Sequence, residues 1–306
     1  MNQGDAWRAP IKEGGANVES KTKMFCTILV PLATTLSAET LLDTALALAR
    51  RVNANIRALF ILPNPHSALA YLPDVVLAAG LTREIIERET QEAAAEAKAQ
   101  FTAWRTHNKL PETAGGRLDT CFAIWAEQIG EIETLVTRWG RLSDLIVVPR
   151  PALGAIPAQR SFDAAVFGSG RPTLVVSDET YLDVTDHIMI AWNGSLEASR
   201  AVFGAMPLLH VANRVSIFAA PQYDIEDVNP ADLAEYLSWH GIRARPVVGL
   251  KDEDATGAAL ISAAREQQAT LIVMGAYTHS RLRQSFLGGV TRHLLTHAPV
   301  PLLMGH

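Results

Sequence analysis

His187-Ile-Met-Ile-Ala-Trp192 is a short apolar run, followed by the small polar residues Asn193-Gly194-Ser195 and then by apolar residues at helical spacing. Cys26-Thr-Ile-Leu-Val-Pro31 is followed in the same way by small residues and by a periodic segment from Ser37 to about Arg51. Both stretches predict a strand, a turn and a helix, with Ser37 as a plausible N-cap. The same unit therefore occurs twice in the chain.

Strand and helix patterns alternate through both copies. Asp144-Leu-Ile-Val-Val148 and Thr270-Leu-Ile-Val-Met274 are continuous apolar runs, typical of strands buried on both faces. Such alternation predicts parallel sheets with helices on both sides, and right-handed crossovers make each half a five-stranded, doubly wound α/β domain. The other predicted strands are 56–62, 117–124, 172–176, 214–219, 243–248 and 300–304, and the other predicted helices are 82–107, 127–139, 230–240, 254–266 and 289–297.

These repeats predict the domain organisation. We expect a flexible tail over residues 1–23, a first domain over 24–178 and a second over 186–306, with a polar boundary between them. The first copy is longer by about 34 residues, mainly in a loop from His66 to Gly80 and the helix after it. The apolar part of that loop, Ala68 to Ala79, either packs on its own domain or meets a crevice or a partner subunit.

Composition limits the class of protein. A chain of 306 residues with 48% apolar and 19% charged residues is globular and long enough for about two domains. A net charge of -5 predicts no nucleic-acid partner and no anionic membrane partner. We expect no membrane anchor and no secretion signal, and with only Cys26 and Cys121, in predicted strands, a reducing cytoplasm is the simplest compartment.

Glycines follow the strand 270–274 and precede the last helix. Gly275 at a strand end lets backbone approach a ligand closely, and Gly288-Gly289 can form a concave run of N–H donors. In an open parallel sheet, ligands lie beyond the carboxyl ends of the strands, where helix N-termini meet anions. The pattern predicts a phosphate site there, although the glycines could equally serve only as turns.

These residues resemble the universal stress protein (UspA) family, over both halves of the chain. Members that bind ATP carry Gly-x2-Gly-x9-Gly-[Ser/Thr] after the fourth strand. Here Gly275 and Gly288 match, whereas Thr278 replaces the second glycine and Gly289 the hydroxyl residue. The family's Pro-x-Asp after the first strand is similar to Ala191-Trp192-Asn193, in which Asn193 brings no charge. Asn193-Gly194 could also be a plain turn and N-cap.

The resemblance implies a tandem stress-response protein that binds ATP or another adenine nucleotide, with Mg²⁺ only alongside the nucleotide. The alternative is a member of the same fold that acts as an interaction protein without nucleotide. The nucleotide-binding residues implied are Ala191, Trp192, Asn193, Phe218, Ala219, Met274, Gly275, Thr278, Gly288, Gly289, Val290 and Thr291, with Arg281 and Arg283 as phosphate contacts. It also implies that strands 172–176 and 301–304 meet within one chain, as the paired strands of single-domain members do; a homodimer is a further option.

The first copy departs further from the family motif. It has Pro31-Leu32-Ala33 in place of the acid, Pro149 in place of the strand-end glycine, and Arg160-Ser161 before its last strand. We therefore expect its site to be degenerate.

Catalytic signatures are missing from the sequence. It has no Walker motif and no Gly-x-Ser-x-Gly elbow. We assign no catalytic residue and expect any ATP hydrolysis to be slow, since no general base is apparent. His293 and His297 share a helix face, but two imidazoles alone make a poor metal site.

Overall fold

The computed structural model describes residues 25–32, 38–63, 83–113, 121–151, 155–177, 179–219, 229–248, 256–276 and 289–306. These residues form ten strands and eight α-helices, which alternate within each half of the chain. The strands are β1 (Thr27–Leu32), β2 (Asn55–Leu62), β3 (Ala123–Ile129), β4 (Leu145–Pro149), β5 (Thr173–Val176), β6 (His187–Ala191), β7 (Arg214–Ala219), β8 (Ala244–Val248), β9 (Leu271–Gly275) and β10 (Leu302–Gly305).

One α-helix lies between each pair of successive strands within a half. The helices are α1 (Ala38–Val52), α2 (Arg83–His107), α3 (Ile132–Gly140), α4 (Ile156–Asp163), α5 (Leu196–Val211), α6 (Pro230–Trp239), α7 (Thr256–Glu266) and α8 (Gly289–His297). A π-helical turn, Ala164–Gly168, continues α4. None of the described helices is long and apolar enough to cross a membrane.

All ten strands belong to one sheet, in the order β3-β2-β1-β4-β5-β10-β9-β6-β7-β8. Each half has the same order about its own first strand, and every neighbouring pair within a half is parallel. The halves join through β5 and β10, which are antiparallel, with Leu303 opposite Leu174. The sequence predicted two five-stranded units, and the resemblance implied that strands 172–176 and 301–304 meet. These two strands pair as β5 and β10, so the two units form one continuous ten-stranded sheet.

This junction sets the direction of the two halves. Because β5 and β10 run in opposite directions while all other neighbours are parallel, the carboxyl ends of β1–β5 and of β6–β10 lie at opposite edges of the sheet. Arg150, just after β4, donates hydrogen bonds to the carbonyl oxygens of Ala298 (3.0 Å) and Val300 (3.4 Å) in the other half. Phe167 makes an edge-on ring contact with His306 at a centroid distance of 5.0 Å.

Two hydrophobic cores form, one on each face of the sheet. Along β1, Ile28 and Val30 belong to one core and Leu29 to the other, as the alternation of a strand requires. The first core is covered by α1, α2, α5 and α6, and the second by α3, α4, α7 and α8. Burial on both faces explains why the central strands are continuous apolar runs.

Three local predictions differ from the structure. The predicted strand 117–124 is β3, Ala123–Ile129, and the predicted helix 127–139 begins only at Ile132. Residues Glu127 to Ile129 pair with Phe60 to Leu62, so the tertiary partner extends the strand into a segment with a helical pattern. Helix α4 was not predicted, because only two of its residues, Ser161 and Phe162, are buried, and two residues do not make a helical pattern of apolar side chains. Residues 1–23, Ser37 and the loop 66–80 lie outside the described residues.

Candidate functional site

The carboxyl ends of β6, β7 and β9 come together at one edge of the sheet. Ala191 at the end of β6 is the register partner of both Phe218 in β7 and Met274 in β9. Connections leave the sheet in opposite directions from β6 and β9, so this is the topological switch point at which open α/β sheets bind ligands. The structure thus brings the predicted residues 191, 218, 219, 274 and 275 to a common edge.

Gly275 is in contact with the first turn of α5. A Cβ added to it would lie 2.6 Å from the Ala198 nitrogen and 2.7 Å from the Glu197 carbonyl carbon, both backbone atoms. Gly305, its register partner in β10, is equally close to the backbone of Ala201. The two glycines let α5 lie directly on β9 and β10, so the close backbone approach at Gly275 is to a helix of the same chain.

The turn after β6 caps α5. Asn193 Oδ1 accepts a hydrogen bond from the Ser195 N–H (3.2 Å), and Ser195 Oγ accepts one from the Ala198 N–H (3.1 Å). Gly194 between them has φ +69°, in the region where glycine is favoured. The turn-and-cap arrangement is thus present, with Asn193 exposed at the crevice. Only the Oδ1 atom of Asn193 is used in this turn, so the amide N–H groups of its side chain can donate to other partners.

Trp192 directly follows β6, and its side chain packs in the first core. Its backbone N–H donates to the Phe218 carbonyl (2.8 Å), and its side chain is only 8% exposed. Within the described part of the chain, its indole Nε1 has no hydrogen-bond partner. Phe218 and Ala219 are buried at the end of β7. These strand ends therefore offer an apolar wall rather than charged groups.

Helix α8 begins at Gly289, as its sequence predicts. Gly289 is exposed, and a Cβ added to it would meet no atom within 4 Å among the described residues. Val290 packs against the second core, and Thr291 is buried. Thr278, Gly288, Arg281 and Arg283 lie outside the described residues.

His293 and His297 stack on one face of α8, with His293 lying beside Gly257 of α7. Their ring centroids are 4.4 Å apart, and His297 Nδ1 bonds to the His293 carbonyl oxygen. Over the described ranges, no group of three His, Cys, Asp or Glu side chains could hold a metal ion.

The corresponding region of the first half differs in chemistry. Pro149 ends β4 and has no N–H to offer. Arg160 on α4 forms ion pairs with Glu131 (2.7 Å between Nη2 and Oε2) and with Glu133. Hydrogen bonds to these two carboxylates raise the pKa of Arg160. Burial is the largest single influence on Glu133 and raises its pKa, but the hydrogen bond from Arg160, a backbone hydrogen bond and the charge of Arg160 together outweigh burial and lower that pKa.

A buried histidine that the sequence did not single out lies at the opposite end of β6. His187 is 3% exposed; its Nδ1 contacts the Gln267 carbonyl oxygen (2.8 Å) and its Nε2 the Ser216 hydroxyl (2.9 Å). Burial is the main reason that its pKa is lowered. Since Nδ1 can only donate to a carbonyl, the neutral ring accepts from Ser216 at Nε2. His187 therefore has a structural role, and it lies at the end of β6 that is far from the crevice.

Comparison with known proteins agrees with the fold. Residues 185–306 match the model of the universal stress protein family. The match covers the second half of the chain, which is therefore similar to universal stress proteins. A crystal structure of a universal stress protein from Archaeoglobus fulgidus DSM 4304 is similar over 90% of this chain and 94% of that one, with 16% identity and a TM-score of 0.69.

A second similar structure comes from Pseudomonas aeruginosa UCBPP-PA14 and is also described as a universal stress protein. It has 13% identity and a TM-score of 0.52, over 92% of this chain and 93% of that one. No curated protein matched the sequence. At these identities the structural likeness establishes the universal stress protein fold for the chain and not its ligand.

Proposed function

We propose that residues 186–306 of this chain bind an adenine nucleotide, ATP, with Mg²⁺ only alongside it. The observation that carries the proposal is the convergence of the ends of β6, β7 and β9 at the switch point. The motif resemblance at Gly275 and Gly288 adds to it.

Each part of this crevice suits one part of a nucleotide. The backbone N–H groups of Gly289, Val290 and Thr291 begin α8 and would face the phosphates, since a helix N-terminus favours anions. Trp192 and the end of β7 would face the adenosine, and the Asn193 amide would hydrogen-bond the ribose. The exposed position of Gly289, where an added Cβ would meet no described atom, supports space for a ligand beside the start of α8.

We further propose that residues 24–178 and 186–306 are tandem copies of one domain, paired within the chain as a pseudo-dimer. Equivalent backbone hydrogen bonds support this: Arg150 N to Val176 O is 2.7 Å, and Ala276 N to Gly305 O is 2.8 Å. With Pro149 at its strand end and Arg160 already paired, the first copy would not bind ATP in the same way. The role of the protein would then be regulatory, in the cytoplasmic stress response, with hydrolysis at most slow.

Gly289→Asp tests the nucleotide site. The new carboxylate would have open space and a favourable position at a helix N-terminus, so folding should be retained, while the charge repels phosphate. We expect the affinity for ATP and Mg²⁺ in calorimetric titration to fall by at least about tenfold. Gly289→Ala is the matched control and should bind ATP as the unaltered chain does. Equal ATP affinity in both variants would contradict the phosphate assignment.

A second candidate function is that of an interaction protein without nucleotide. It is favoured by one observation: Gly275 and Asn193 both have structural uses within the chain itself, in the packing of α5 and in its capping turn. Nucleotide analysis of the purified protein and titration with millimolar ATP separate the two. If no nucleotide co-purifies and the titration gives no measurable heat, ATP binding is excluded and the interaction function remains.

A further inference from the structure

The outer faces of α5 and α6 carry large apolar side chains. On α5, Leu196 and Phe203 are 60% and 75% exposed and lie seven residues apart, on the side opposite the buried alanines. On α6, Tyr236 and Trp239 are 38% and 76% exposed. Helices that cover a sheet usually present charged side chains to water. We name Leu196, Arg200, Phe203, Glu235, Tyr236 and Trp239 the α5/α6 surface.

A groove lies beside this ridge of side chains. Its volume is about 1130 Å³, and it extends along α5, with Phe203 and Met206 among its lining residues and Leu233 and Tyr236 opposite them on α6. Phe203 therefore stands at the rim of a groove on the same surface. A projecting aromatic side chain next to a groove is self-complementary, and this is the property that a two-fold symmetric interface requires.

The amount of apolar surface is that of a protein–protein interface. With the exposed fractions above, the four apolar side chains leave on the order of 400–500 Å² of apolar surface in water. An interface of standard size buries roughly 800 Å² per partner, of which a little more than half is apolar. The surface thus supplies about the apolar area that one partner of a stable dimer contributes.

Two exposed residues of the α5/α6 surface carry charges of opposite sign. Arg200 lies on the exposed face of α5, and Glu235 lies on the exposed face of α6. Neither side chain forms an ion pair with any residue that the structure describes. In a two-fold arrangement that places α5 on the α6 of another copy, Arg200 would meet Glu235 twice.

We propose that the α5/α6 surface binds a second copy of this chain in a two-fold symmetric dimer, with Phe203 of each copy in the groove of the other. This contact is separate from the β5–β10 pairing, which is satisfied within the chain. Trp192 lines the far part of the same groove, but Phe203, Glu235, Tyr236 and Trp239 are not among the residues assigned to the nucleotide, so association can be measured without it.

Sedimentation velocity over a range of concentrations, without nucleotide, tests the dimer. The unaltered 33.2 kDa chain should approach twice that mass as its concentration rises. Phe203→Ser should weaken association at least about tenfold, as expected for an aromatic residue at the centre of an interface. Leu182→Ser is the matched control. Leu182 is 76% exposed but belongs to the segment that joins β5 to β6, so replacing its side chain should not change the association.

Charge reversal tests the orientation. Arg200→Glu and Glu235→Arg should each weaken the dimer, and the double variant should restore it, because the swapped charges again face each other. A chain that remains monomeric at every concentration would overturn the proposal. So would a Phe203→Ser variant that associates like the unaltered chain, or a double variant weaker than both single ones.

Discussion

His187 shows how a single buried residue can make the stability of this protein depend on pH. Its ring links the start of β6 to Ser216 in β7 and to the turn after α7. Burial favours the neutral form and lowers its pKa in the folded state. The cation Arg214 acts in the same direction, and the hydrogen bond to the Gln267 carbonyl and the charge of Asp186 oppose it. Protonation therefore favours the unfolded chain.

The sign of the effect follows from this lowered pKa. Above about pH 6.5, the ordinary pKa of histidine, the ring is neutral in both states and the stabilisation is complete. As the pH falls below that value the unfolded chain takes up the proton first, so the free energy of unfolding decreases until the folded pKa is reached. Urea unfolding at several pH values should show this decrease.

The control for this prediction is His187→Leu. It should be less stable at pH 7 by about 1–3 kcal/mol, because the Ser216 hydroxyl and the Gln267 carbonyl lose a partner. Its stability should nevertheless depend less on pH between 7 and 5 than that of the unaltered chain. An unchanged pH dependence would assign the effect to other groups.

At the scale of elements, the position of α5 depends on two small residues in the strands below it. Gly275→Ala should lower the free energy of unfolding by about 1–3 kcal/mol, because the new Cβ would press on the backbone of Glu197 and Ala198, which cannot rotate away. Gly289→Ala is the control, since its Cβ meets no neighbour and its stability should be unchanged or higher. Equal stability of the two variants in urea unfolding would show that α5 can move aside.

Element boundaries were predictable where local pattern and burial agree. Gly289–His297 begins and ends as predicted, and the central strands differ from their predicted bounds by one or two residues. The predicted bounds of β3 were wrong because its extent depends on hydrogen bonds to β2, which is far away in sequence. Helix α4 was missed because the burial of Phe162 comes from packing in the second core.

At the scale of the whole molecule, the junction between β5 and β10 holds the two halves in one sheet. Leu303 is fully buried opposite Leu174, in the core that both halves share. Leu303→Ala should lower the free energy of unfolding by about 2–5 kcal/mol. Leu142→Ala, at a side chain 64% exposed, should change it by less than about 0.5 kcal/mol. A loss at Leu303 no larger than that control would mean that the junction contributes little to stability.

The candidate site was partly predictable. Spacing and glycines located the strand ends Ala191 and Gly275 and the start of α8, since the carboxyl ends of parallel strands always share an edge. The actual neighbour of Gly275 could not be foreseen, because the pattern does not say whether a ligand or a helix approaches the glycine. The exposed aromatic residues of α5 and α6 were also missed, since the helical pattern alone does not show which face another element covers.

The amino-acid sequence alone was enough to establish the repeated α/β unit, the alternation of strands and helices and the class of fold. These follow from the spacing of apolar residues that are close together in the sequence. Only the tertiary structure established that the ten strands form one sheet, that the two carboxyl edges face opposite ways, and that α5 rests on Gly275 and Gly305. These features depend on hydrogen bonds and contacts between residues far apart in the chain, which no local pattern records.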